Sequence, residues 1–181
     1  DLSPSKDQEY FSDGIAEEIL NALVKIKGLK VAGRTSSFHY KGKNEDLRKI
    51  GETLGVAHIL EGSVRKQGEK VRITAQLVQA GDGFHLWSET YDGDLADVFE
   101  LQEQIARKIT DELQLVLQGD QQKRLVPVAT ADPEAYAKFL QASAIFNRRE
   151  RARFPDAIAL LEQAIRLDPA FARAHARLGA F

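Results

Sequence analysis

The 181-residue chain contains no cysteine. Disulfides, thiolate metal sites and cysteine nucleophiles are therefore excluded, and the compartment is left open between reducing and oxidising. Methionine is missing as well, so there is no initiator, and we expect a piece of a longer protein. Apolar runs are short, and none approaches the roughly 20 residues of a membrane-spanning helix. No signal peptide is visible. Neither G-x-x-x-x-G-K-[ST] nor G-x-G-x-x-G occurs, so the familiar glycine cradles for nucleotide phosphates are absent. The four histidines (His39, His58, His85 and His175) never fall within one helical turn of each other. No metal site and no cofactor is expected from them.

What remains is an ordinary globular composition, 43% hydrophobic and 29% charged. The length suits one domain, or one small domain with an appendage. The net charge of −2 hides an asymmetry. Residues 1–118 carry 20 acids against 15 bases, whereas residues 119–181 carry 7 against 10. The basic tail can touch an acidic partner, but its arginines read as scattered and solvated, and nucleic-acid binding is not expected.

Hydrophobic spacing orders the elements. Ile15, Ile19, Leu20, Leu23 and Val24 predict a helix over about 13–27, capped by Ser12 or Asp13 and stopped by Gly28. Leu29–Ala32 reads as a short strand with Arg34–Ser37 at its exit. A second helix is expected over 45–54, with Asn44 as its cap and Gly55 as its terminator. Residues 56–91 read as a three-strand antiparallel meander, in which Val71, Ile73, Ala75 and Leu77 share the buried face. In its last strand, Trp87 alternates with Leu86 and is expected to pack in the core. A long helix follows from Asp97, with Val98, Leu101, Ile105, Ile109, Leu113 and Val116 on its stripe. Helices must cover a sheet face, so the expected fold is a two-layer α/β sandwich with a mixed sheet, one strand of it missing before Asp1. Residues 119–132 read as a linker, and residues 133–181 as helical.

Ala157-Ile158-Ala159-Leu160-Leu161-Glu162-Gln163-Ala164-Ile165-Arg166-Leu167-Asp168-Pro169 resembles the second helix of a tetratricopeptide repeat. Leu178-Gly179 falls where a next repeat would begin. The likeness is closer over 154–181 than over 133–153, where Ala142 takes a place usually given to glycine. Upstream, four motifs occur in order: Glu9-Tyr10-Phe11-Ser12-Asp13-Gly14-Ile15, Arg34-Thr35-Ser36-Ser37-Phe38, Leu60-Glu61-Gly62-Ser63-Val64 and His85-Leu86-Trp87-Ser88-Glu89. Together they resemble the TolB-like domain that precedes such repeats in bacterial signalling proteins. That resemblance implies a TolB-like α/β domain over 1–118, a linker over 119–132 and an all-α tetratricopeptide hairpin over 133–181, one repeat full and one truncated. It also implies a neighbouring effector, either an adenylate or guanylate cyclase domain or a CadC-like winged helix.

On this reading the chain is a non-catalytic regulatory and protein-interaction region of a bacterial signal-transduction protein. The expected partner is a protein or peptide held by the tetratricopeptide helices, and a homo-oligomer is allowed. A cytoplasmic or membrane-associated parent is favoured, with a periplasmic one as the alternative. The chain itself is expected not to be an enzyme. Its paired acids, Glu17-Glu18, Glu45-Asp46 and Asp111-Glu112, read as solvated, and adjacent helical residues point apart. His58 and His175 are expected to pack rather than ligate. The alternative function is a small-ligand or anion sensor, with Arg34, Thr35, Ser36 and Ser37 as the binding loop, because an arginine beside hydroxyls at a strand exit suits an anion.

Overall fold

The computed structural model describes residues 8–113 and 125–181. The Asp-Leu-Ser start, Val116 of the long helix and residues 119–124 of the expected linker lie outside the described residues. The chain opens with helix α1 (Glu9–Val24), the short helix α2 (Arg34–Phe38) and α3 (Leu47–Leu54). Strands β1 (His58–Gln67), β2 (Lys70–Gln79) and β3 (His85–Asp94) follow. After a 3-10 turn at Leu95–Asp97 come α4 (Val98–Glu112), α5 (Pro133–Asn147), α6 (Phe154–Leu167) and α7 (Ala172–Leu178). Among the described residues no helix is long and apolar enough to cross a membrane.

Local chemistry accounts for the ends of these elements. Asp46, two residues later than the expected Asn44, caps α3 by accepting from the Arg48 amide at 2.9 Å. Gly55 stops that helix in the left-handed region at φ +64°. Asp132 caps α5 through the Ala135 amide at 2.8 Å, and Pro133 fills the first helical position.

The three strands form an antiparallel sheet in the order β1-β2-β3. Val71, Ile73, Ala75 and Leu77 of β2 face inward at 5% exposure or less. Trp87 pairs with Leu77 on that same face and is buried, and its indole N–H donates to Glu89 at 3.0 Å. The Tyr91 hydroxyl donates to the same carboxylate at 2.9 Å. The pleat turns Leu86 away from that face, the register shifts beside it between Leu77 and Val78, and Phe84, just before the strand, is 72% exposed.

This architecture overturns the expected two-layer sandwich with a mixed sheet and a following tetratricopeptide hairpin. The sheet is purely antiparallel, since Leu29–Ala32 does not pair into it. The carbonyls of Ala32 and Gly33 accept from the Ser37 hydroxyl instead, so this segment is spent on crossing from α1 to α2. Helix α1 also buries more than the single face that its apolar spacing predicts. Phe11, Asp13, Gly14, Ile15, Glu18, Ile19, Ala22 and Leu23 are all buried, which takes in most of its circumference. Helix α1 therefore packs on β1 and α4 with one side and on α5 with the other. The carboxy-terminal helices do not stand apart as a hairpin, because one continuous hydrophobic cluster runs from Phe11 to Ala174. Tyr136 of α5 packs against Phe99 of α4, with ring centres 4.6 Å apart, and its hydroxyl accepts from Gln102 at 3.3 Å. Leu125 and Val126 are tied down by Glu103 of α4, whose carboxylate accepts both their amides at 2.6–3.0 Å.

Two positions carry unusual backbone demands. Gly62 of β1 lies so close to β2 that an added Cβ would come within 2.1 Å of the Thr74 carbonyl oxygen. Arg149, just past α5, sits at φ +56°, a conformation that costs a non-glycine residue roughly 1–2 kcal/mol. Backbone cannot yield at Gly62 as a flexible side chain would. Gly62→Ala is therefore expected to lower stability by about 1–3 kcal/mol in a denaturant melt, and an unchanged midpoint would show that the strands separate freely there.

Candidate functional site

Glu9, Asp13 and Glu17 recur every fourth residue on α1, so their carboxylates line one side of the helix, with Glu18 one step around. Like charges at this spacing repel by a few tenths of a kcal/mol per pair and need cations brought from elsewhere. The fold supplies partners from four segments. From the segment after α2, Lys41 donates to Glu9 at 2.6 Å and also pairs with Asp13. From α2 itself, Arg34 Nε donates to Glu17 at 3.1 Å. From the end of α5, Arg148 pairs with Glu9 at 2.8 Å and approaches Asp13 at 3.5 Å, while Asn147 donates to Glu17 at 3.0 Å. From α7, Arg173 takes Glu18 with two nitrogens at 2.5 and 2.7 Å.

Burial decides which of these contacts counts. Glu18 and Asp13 are 8% and 9% exposed, whereas Glu9 is half-exposed. The Glu18–Arg173 fork is the charge-assisted, bidentate arrangement that fixes orientation as well as energy. Burial pulls the Arg173 guanidinium down, but the Glu18 bonds and charge outweigh it, and its net shift is upward. Its guanidinium also lies 5.0 Å from the centre of the Phe139 ring. Arg177, one turn on, stacks over Phe146 at 4.8 Å, and burial lowers its pKa. Glu9 is held below the ordinary glutamate value, chiefly by its hydrogen bond from Lys41.

A cleft between α1, α2, α5 and α7 runs along these pairs, lined by Glu17, Glu18, Arg34, Ser143, Asn147 and Arg177 among others. Its enclosed space is about 10 Å³, the size of one water molecule. Small-molecule pockets commonly run from about 300 Å³ upward, so the cleft as formed is an ionic junction rather than a substrate pocket.

The residues picked out for an anion lie beside this junction. Arg34 is committed to Glu17, with its guanidinium 4.3 Å from the Phe38 ring centre. The Ser37 hydroxyl bonds the Ala32 and Gly33 carbonyls, and Thr35 and Ser36 are exposed on α2. Neither histidine expected to pack does so. His58 and His175 are exposed, the latter with Nε2 3.0 Å from the Pro169 carbonyl oxygen. Nor is Glu18 solvated, as its pairing with Glu17 had suggested. Among the described residues, no three His, Asp or Glu side chains come together as a metal ion would require.

No protein-family model matches the chain. The chain is similar to a protein of Rhizobium meliloti (strain 1021) named "Putative adenylate cyclase 3", with 38% identity over 177 residues. The match takes in 98% of this chain and 30% of the relative, so the chain spans less than a third of that protein. This similarity overturns the expectation that the chain is not an enzyme, because nearly all of it aligns with part of a protein bearing an enzyme's name. That expectation rested on the absence of a familiar catalytic motif, and such an absence does not exclude an activity.

Two outcomes follow from the ionic junction. Arg173→Ala leaves Glu18 buried without its partner and is expected to cost about 1–3 kcal/mol in urea, whereas Arg166→Ala on exposed α6 surface serves as a neutral control. A cost equal to the control would make the fork ornamental. The second concerns acid. The lowered pKa of Glu9 means that its stabilising contribution is complete above its ordinary 4.5 and is lost as the pH falls through the lower folded value. Denaturation midpoints should therefore fall more steeply with acid in wild type than in Glu9→Gln, by a few tenths of a kcal/mol for so exposed a pair. Parallel curves would contradict this.

Proposed function

We propose that the chain is a segment of a bacterial signal-transduction protein of the adenylate cyclase kind, and that it acts there as a regulatory and protein-interaction region. The 38% identity over nearly the whole chain is the observation that carries this reading. The finer likeness, to the TolB-like module found beside signalling effectors, rests on the four motifs at 9–15, 34–38, 60–64 and 85–89. A division near 119–132 and a protein or peptide partner on the carboxy-terminal helices belong to the same proposal. The ionic junction supports a coupling role. A load on α7 reaches Glu18, and a load on α2 reaches Glu17, one residue away on the same helix.

A second reading makes Arg34–Ser37 an anion-sensing turn. It is favoured by the exposure of Thr35 and Ser36 beside a guanidinium, and opposed by the commitment of Arg34 to Glu17. Phosphate-dependent thermal shifts that vanish in Arg34→Ala would select it.

The principal test uses the full parent protein. Conversion of ATP to cyclic AMP is expected, and Arg173→Ala is expected to change that output several-fold while the protein stays folded. A folded parent that makes no cyclic AMP under any condition sinks the cyclase assignment. Unchanged output in the variant sinks the regulatory part alone.

A further inference from the structure

The turn joining α5 to α6, Arg148–Arg153, holds four arginines in six residues, so the basic tail is not uniformly scattered after all. Its backbone is closed by hydrogen bonds. The Arg149 amide bonds the Phe146 carbonyl at 3.0 Å and the Glu150 amide bonds Ile145 at 3.2 Å, the double bond pattern that ends many helices. In that pattern the residue after the cap adopts the left-handed conformation, and glycine or asparagine ordinarily fills it. Here it is Arg149, at φ +56°. The Arg151 amide then bonds the Arg149 carbonyl at 2.9 Å, and Arg153 bonds Glu150 at 2.8 Å.

A second local rule is broken within the same turn. Arg153 occupies the cap position of α6 and provides no side-chain cap, where serine, threonine or aspartate would satisfy free amides. Cations at 151 and 153 also face the positive end of that helix, which disfavours them. Strain and misplaced charge thus gather in one turn, and backbone outliers of this kind collect at functional surfaces.

The four guanidiniums divide cleanly. Arg148 is spent on Glu9 and Asp13, and Arg153 on Glu150 and Asp156. Arg149 and Arg151 are exposed and pair with no carboxylate among the described residues. We propose that this turn docks an acidic polypeptide segment, with Arg149 and Arg151 taking its carboxylates.

Charge counting favours a peptide over other polyanions. A typical DNA site neutralises about 6–10 phosphates, and an anionic lipid surface is read by about 4–8 clustered lysines and arginines. Two guanidiniums two residues apart, with no carboxylate partner among the described residues, suit a pair of carboxylates, each matched in plane by an arginine fork. The turn does not line the α1/α5/α7 cleft, so that cleft would not enclose a small molecule held there.

The inference rests on reading the carboxy-terminal helices as a partner surface, but its test measures binding alone and is indifferent to cyclic AMP output. A fluorescently labelled Glu-rich peptide is titrated into the 181-residue chain at low and high salt, beside a Lys-rich peptide, a short DNA duplex and phosphatidylserine vesicles. The Glu-rich peptide is expected to bind in a salt-sensitive way, and the Arg149→Gly/Arg151→Ala double variant to lose at least tenfold in affinity. Arg149→Gly relieves the left-handed strain, so the melting temperature of the double variant is expected to equal or exceed that of wild type, which separates lost binding from lost folding. Undiminished affinity in that variant overturns the proposal. So does equal binding of the Lys-rich peptide, or preference for the DNA or the vesicles.

Discussion

Carboxylates stacked at four-residue intervals along a helix repel one another, and α1 carries three of them on a helix packed on two sides. Cations from both ends of the chain answer that charge. Lys41 and Arg34 come from the segment that follows it, and Arg148 and Arg173 from the far end of the chain. The link from Glu18 to Arg173 spans 155 residues of sequence. Apolar burial provides most of the driving force, through a cluster continuous from Phe11 to Ala174. Burial is non-directional, however, and would tolerate α7 in several positions against α1. The bidentate fork selects one.

That division of labour bears on the regulatory role proposed for the chain. A joint held only by packed leucines would resist any input until it failed outright. One held by ion pairs at a solvent-lined cleft responds in small steps to charge, to salt and to competing carboxylates, because each partner can be exchanged for water or for another ion. Arg34 and Asn147 meet on the same Glu17 carboxylate, and Arg148 and Lys41 on Glu9, so the two flanks of α1 share acceptors. A change on one flank therefore alters the charge seen by the other, which is a physical basis for coupling in a protein similar over 177 residues to one named for a cyclase.

Much of the local structure was legible in the sequence. The alternation of Val71, Ile73, Ala75 and Leu77 placed β2 and its buried face, and Gly55 placed the end of α3, because pleat and cap chemistry are local. The larger architecture was not legible. A stripe count on α1 registers isoleucines and leucines, but Asp13, Gly14 and Glu18 are buried too, and no hydrophobicity count sees them. Missing that second buried side led to a two-layer fold with detached helices, and it left Leu29–Ala32 looking like a strand. The repeat of acids at 9, 13 and 17 was the available signal, since solvated helix faces usually mix signs. The charge of Arg34 predicts an anion beside it, and the structure supplies one from within the chain, Glu17, seventeen residues upstream.

Hydrogen exchange tests the central claim most directly, because it reports the docking of α7 separately from the rest of the core. In Glu18→Gln, amides of Ala172–Leu178 should exchange about tenfold faster than in wild type, an opening cheaper by roughly 1.4 kcal/mol, while those of α4 keep their protection. Unchanged protection across α7 would mean that packing alone holds it, and that the acidic side of α1 does not organise the fold.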